Sequence, residues 1–208
     1  QIRKLEQQKT NAELQALKAQ LNPHFLFNSL NNIYSLALYE DKKTPEALLQ
    51  LSQCLRYVLY DCKTPQIELQ KELNFLKYFM NLQALRSEAN LKTNLLIHGQ
   101  TEGYSLSPLL FLPLLENAYK HAKPNQSGAY FINVNCQIEE DRVTFEIQNS
   151  VPVSPPEPTS ASGVGIENLK KRLDLLYPKE HLLKLDHNEA QFEVKLKVPL
   201  TKSVQNAS

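Results

Sequence analysis

Tryptophan is absent from these 208 residues, methionine occurs once, cysteine three times and glycine five times. No G-x-x-x-x-G-K-S/T string is present, which excludes a P-loop nucleotide site. Cys54, Cys62 and Cys136 are odd in number and not at zinc-ligand spacing, so neither a disulfide framework nor a structural zinc is expected; reduced, buried thiols are. An excess of one charge is missing too. The 23 basic and 22 acidic residues leave a net +1, without the electrostatic footprint that nucleic acid or an anionic membrane demands. Nor does any apolar run reach the roughly 18–20 residues needed to span a bilayer. What remains, 42% hydrophobic and 22% charged residues, is ordinary for one or two globular domains. The chain opens in helical sequence without an initiator methionine, so a fragment lacking its N-terminal part is expected.

Residues 17–32, LKAQLNPHFLFNSLNN, organise the rest. Pro23 falls inside an otherwise helical stretch, where proline removes a backbone donor at a cost of roughly 3 kcal/mol. His24 follows at once. Phe25, Leu26, Phe27, Leu30, Ile33 and Leu36 then form nearly a helical core stripe, with Asn28, Asn31 and Asn32 set among them. Asparagine is a mediocre helix former, and local rules are broken in this way mostly at functional or strained sites. A Pro-kinked core helix with a satisfied histidine accounts for the segment equally well.

Leucine spacing over residues 1–20 predicts an amphipathic helix that continues to about residue 39. Thr44 as N-cap and Pro45 at the first helical position open a second helix. One helical hairpin buries little apolar surface, so two of them in a four-helix dimer are expected. Residues 63–65 form the boundary. Beyond it the pattern predicts a short strand at 66–69, a helix at 71–86, a strand at 91–98 and a helix at 108–121. Strands at 129–137 and 142–148 follow, then a proline-rich loop at 150–162, a helix at 163–177 and a closing hairpin of 181–186 with 191–199. This order suggests an α+β sandwich with helices on one face of a mixed sheet. Three segments result: residues 1–64, 65–200, and a disordered tail at 201–208.

Two further clusters carry chemistry. Glu116, Asn117, Lys120 and His121 lie within one and a half turns at the polar end of an apolar helix. A carboxylate and an amide oxygen suit Mg²⁺ in company with phosphate, and the lysine and histidine suit the phosphates. A solvated helix end with an ordinary salt bridge is the competing reading. Gly163 and Gly165, followed by Asn168 and Arg172, stand at a loop-to-helix junction where backbone N–H groups can meet an anion; glycine as mere loop punctuation competes.

Taken in order, the strings AQLNPHFLFNSLNN, LRYVLY, LQALR, PLLENAYKHA and GVGIENLKKRLDLLYP resemble the LytS-type branch of sensor histidine kinases from about residue 14 to 199. The resemblance implies a helical dimerisation and phosphotransfer unit followed by a Bergerat-type (GHKL) ATP-binding domain. It implies His24 as phospho-acceptor, Asn117 on Mg²⁺, and Glu116 beside the reacting groups. Lys120 and His121 would face the phosphates of ATP, Gly163, Gly165 and Asn168 would close the second glycine box, and residues 150–162 would form a lid. Partners implied are a second copy of the chain and a response regulator of LytTR type, with the chain as the cytoplasmic part of a bacterial inner-membrane sensor.

The pattern departs from the family at Asn149, where an adenine-holding aspartate is usual and no glycine follows. Phe25 stands where other histidine kinases often place an acidic residue, leaving Asn28, one turn on, to hydrogen-bond His24. Two alternatives are a degenerate kinase acting as a dimeric scaffold, and a Bergerat-type ATPase in which His24 is structural.

Overall fold

The structure, a computed structural model, describes residues 23–85, 90–152, 164–188 and 190–202, with the backbone alone described at Pro23, His24 and Val164. The described residues up to Thr64, with 78–85, make one compact unit; 65–77, with those from 90 on, make a second.

The first unit is built on a helical hairpin, α1 (Pro23–Leu38) and α2 (Thr44–Leu59). Asp41 closes its loop. The Asp41 carbonyl accepts from both the Thr44 N–H at 3.0 Å and the Thr44 hydroxyl at 2.7 Å, so the hydroxyl points back into the loop. Thr44 is therefore already helical and Lys43 stands at the cap position without a side-chain bond, one residue from the expected arrangement. Along α2 the buried positions Ala47, Leu51, Cys54 and Val58 recur at helical spacing and make its inner face. Burial raises the Cys54 thiol to about 12. On α1 the inward residues are Ser29 and Ile33, with Phe25 one turn earlier. The Phe25 ring stacks on Phe79 at 4.7 Å; Phe79 lies in the part of α3 (Leu69–Ala84) that belongs to this unit.

The second unit holds a five-stranded mixed sheet, order β2-β4-β5-β7-β6, from β2 (Lys92–His98), β4 (Phe131–Glu139), β5 (Arg142–Ser150), β6 (Leu182–His187) and β7 (Gln191–Pro199). Among the described residues only β2 and β4 pair in parallel. A side chain on a strand alternates between faces, and burial follows suit. Ile132, Val134, Cys136 and Ile138 on β4, Val143, Phe145 and Ile147 on β5, and Val194, Leu196 and Val198 on β7 are buried. Their registers align, Cys136 with Phe145 and Phe145 with Leu196. This row is one apolar face, and α4 (Leu112–His121) packs on it at β5 with α5 (Val164–Leu176) beside α4. The expected α+β layout, helices over a mixed sheet, is present.

Three local expectations are corrected. Tyr104–Leu106 form β3, which pairs with β1 (Ile67–Glu68) and β8 (Thr201–Lys202) in a small second sheet. Thr201 and Lys202, assigned above to a disordered tail, are thus ordered by pairing with Ser105 and Tyr104; residues 203–208 lie outside those described. The helix expected from residue 108 begins only at Leu112, because Leu109 takes a left-handed backbone (φ 53°) that no α-helix admits.

Candidate functional site

The site grows from the way α4 lies along β5. At its start the Phe111 ring stacks on Phe145, centroids 4.2 Å apart and nearly parallel. Just past its end the Lys123 N–H donates to the Ser150 carbonyl at 3.1 Å. From 111 to 123 a helix rises about 18 Å, and from 145 to 150 a strand advances about 17 Å. The two elements therefore run side by side in the same direction, and the polar end of α4 arrives at the end of β5.

Asn149 sits at that end. It follows Val143, Phe145 and Ile147 on the face that bears the helices, so an amide takes the last place of an apolar row, and only 1% of it is exposed. Its Nδ2–H donates to the Ser150 carbonyl at 3.1 Å, which fixes the amide and directs its Oδ1 away as an acceptor. Next door, Glu116 and Asn117 are half-buried on α4, Lys120 is exposed and His121 half-buried. Burial, reinforced by the neighbouring Lys120 charge, lowers the His121 imidazole below its ordinary 6.5, so the ring is neutral at pH 7. Tyr119, on the same turn, is held protonated by burial, partly offset by a hydrogen bond with Thr93.

α5 brings the third cluster. Gly165 and Asn168 are exposed in its first turns, and a Cβ added at Gly165 would meet nothing within 4 Å. The space beside Gly165 is therefore open, as the close approach of an anion needs. Gly163 lies outside the described residues. His24 and Asn28 lie on α1 of the first unit, one turn apart; Asn28 is half-buried.

Among the described residues no three His, Cys, Asp or Glu side chains gather as a metal site. Glu116 and Asn117 offer one carboxylate and one amide, a donor set that fits Mg²⁺ when phosphate oxygens and water complete the shell.

The sequence reading missed the support of this site. Glu72 on α3 is fully buried and accepts from three backbone N–H groups: Leu109 at 2.9 Å, Leu110 at 3.0 Å and Phe111 at 3.4 Å. α4 has no side-chain cap of its own, so Glu72 supplies a negative charge at the helix start from another element. On the other side of the same turn, Arg172 of α5 donates to the carbonyls of Leu109 (3.2 Å) and Pro108 (2.5 Å) and to the Ser107 hydroxyl (2.8 Å). The Ser107 N–H donates to the Tyr177 hydroxyl at 3.2 Å. Burial raises the Tyr177 phenol, and that N–H and Arg172 pull it back. A signal for Glu72 existed: it stands three residues after Leu69 and four before Leu76, squarely on the buried face.

Comparison with known proteins fits this layout. A family model described as histidine kinase matches residues 12–91. The Sensor protein LytS of Staphylococcus epidermidis (strain RP62A) is 29% identical over 204 residues, 93% of this chain and 34% of that protein. A protein named sensor histidine kinase/phosphatase LytS from Staphylococcus aureus (strain MRSA252) is 30% identical over 193 residues, 85% of this chain and 32% of its own length. A solved bacterial phosphotransferase superposes with a TM-score of 0.54 at 12% identity, covering 87% of this chain and 95% of that one, which speaks for the fold alone. The chain spans about a third of the curated relatives it matches. Over that third, its sequence is similar to that of the LytS sensor proteins, and its residues 12–91 match the histidine kinase family model.

Proposed function

We propose that the chain is the kinase core of a two-component sensor, in which His24 takes the γ-phosphoryl group of ATP and passes it to an aspartate of a response regulator, of LytTR type. The observation that carries the reading is α4 laid along β5. It brings the polar end of α4, which carries Asn117, Lys120 and His121, to the end of β5, which carries the buried amide of Asn149, and on the neighbouring helix Gly165 has open space beside it. Asn149 Oδ1 accepts from the adenine amine. Lys120 and a neutral His121 donate to the phosphates, Gly165 and Asn168 border them from α5, and Gly163, just ahead of that helix in the chain, completes the glycine pair. Asn117, with Glu116 alongside, holds Mg²⁺, which when bound neutralises phosphate charge.

His24 attacks through its unprotonated ring nitrogen. A P–N bond forms as the bond between the γ-phosphorus and its bridging oxygen breaks, and ADP leaves. Asn28, one turn along, orients the ring; Glu116 stands beside the reacting groups. In this reading residues 1–64 dimerise and carry the phosphoryl group, and those from 65 on bind ATP.

The dimer follows from α1 and α2. Phe27, Tyr34, Leu38, Leu48 and Leu49 are each more than half exposed, and an apolar stripe of this kind is covered by a second hairpin in a four-helix bundle. No helix among the described residues is long and apolar enough to cross a membrane; a membrane-bound sensor region would precede residue 1, placing this part in the cytoplasm.

The test is incubation with Mg-ATP radiolabelled at the γ-phosphate. Label held by the wild-type chain and absent from His24→Gln supports the proposal. Release of phosphate and ADP with an unlabelled chain sinks it in favour of an ATPase.

A further inference from the structure

The geometry points to Arg172 as a positioning residue of the nucleotide site, holding the phosphate-facing start of α5 against the base of α4; this rests on the ATP-binding reading above. The turn at 107–111 is gripped from both sides. Its N–H groups are taken by the Glu72 carboxylate, and its carbonyls by the Arg172 guanidinium. An anion on the donor side and a cation on the acceptor side align with the peptide dipoles, so the turn is fixed in one orientation. That turn is the launching point of α4, the helix of Asn117 and His121.

Arg172 is seven residues beyond Gly165 and four beyond Asn168. At that spacing all three share a face of α5, and the Cα of Gly165 stands about 10 Å along the axis from that of Arg172. The arginine therefore sets both the rotation and the axial position of the helix end that faces the phosphates. The two helices that border the site are thus referred to a single turn, α4 by leaving it directly and α5 by gripping its carbonyls through Arg172, while Glu72 of α3 holds its N–H groups. Lysine cannot replace this fork, since three acceptors in different directions need a planar guanidinium rather than a point charge.

The inference predicts a loss confined to the phosphate end of the ligand. Equilibrium binding of ATP, ADP and adenosine, each with Mg²⁺, is measured for the wild-type chain, Arg172→Lys and Arg172→Ala, with urea unfolding of each variant alongside. Arg172→Lys folds and binds ATP and ADP about tenfold or more weakly, while adenosine binding stays within about twofold. A few millimolar guanidinium restores part of the ATP affinity of Arg172→Ala; if that variant does not fold, Arg172→Lys carries the result. Wild-type ATP affinity in folded Arg172→Lys overturns the inference, as does an equal loss for adenosine. Failure of the wild-type chain itself to bind ATP or ADP overturns the nucleotide reading and the inference with it.

Discussion

Glu72 and Leu109 stand 37 residues apart in the chain and meet at 2.9 Å, the carboxylate accepting the N–H of a leucine held in the left-handed region. A buried carboxylate is costly unless its oxygens are satisfied, and here three backbone donors do so. Releasing those donors would let Leu109 return to right-handed backbone. Glu72→Gln keeps the shape but turns an amide donor towards N–H groups. It is expected to destabilise the chain by about 2–4 kcal/mol in urea unfolding; a change under about 0.5 kcal/mol would show that the turn holds itself.

His121 gives a pH dependence with a definite sign. Its folded-state pKa lies below 6.5 through burial and the Lys120 charge, so the unfolded chain binds this proton more readily. Its contribution to stability is full above about pH 6.5 and is lost as the pH falls through the folded value. An NMR titration should place the His121 imidazole below the ordinary histidine value, and Lys120→Gln should move it back upward. An unchanged midpoint in that variant would remove Lys120 as a cause.

Asn149→Asp would install the residue type that the resemblance to histidine kinases leads one to expect at this position. Here it replaces an amide that donates to the Ser150 carbonyl at 3.1 Å by a buried carboxylate facing that carbonyl. We expect a stability loss of about 2–3 kcal/mol, read in thermal or urea unfolding. A variant as stable as wild type would mean that the strand end rearranges freely.

The exposed apolar stripe of α1 and α2 predicts association. Leu38→Glu with Leu49→Glu places charges in it without touching the buried faces of either helix, so sedimentation equilibrium should change from dimer to monomer with helicity retained. A wild-type chain that sediments as a monomer at micromolar concentration would remove the bundle.

The central sheet was legible because its strands alternate. From Glu193 to Pro199 half-buried and buried side chains alternate without a break, and the predicted limits of β7 match the observed ones. β3 was not legible, since three residues are too few for a period and its order comes from partners at Ile67 and Thr201. The start of α4 was misread for a related reason. Pro108 to Phe111 are apolar enough to extend the helix, and what stops them is a carboxylate from α3, a tertiary contact that local pattern does not carry. The polar cluster at residues 116–121 was legible as chemistry, whereas the buried setting of Asn149 depends on which strand face meets α4.

The most direct measurement of the central claim is the chemical stability of the phosphoryl linkage. After incubation with Mg-ATP labelled at the γ-phosphate, the chain is treated separately with acid and with alkali. A phosphohistidine loses its label in acid, keeps it in alkali, and is missing from His24→Gln; that is the result predicted. Label that survives acid, or that persists in His24→Gln, would contradict His24 as the acceptor.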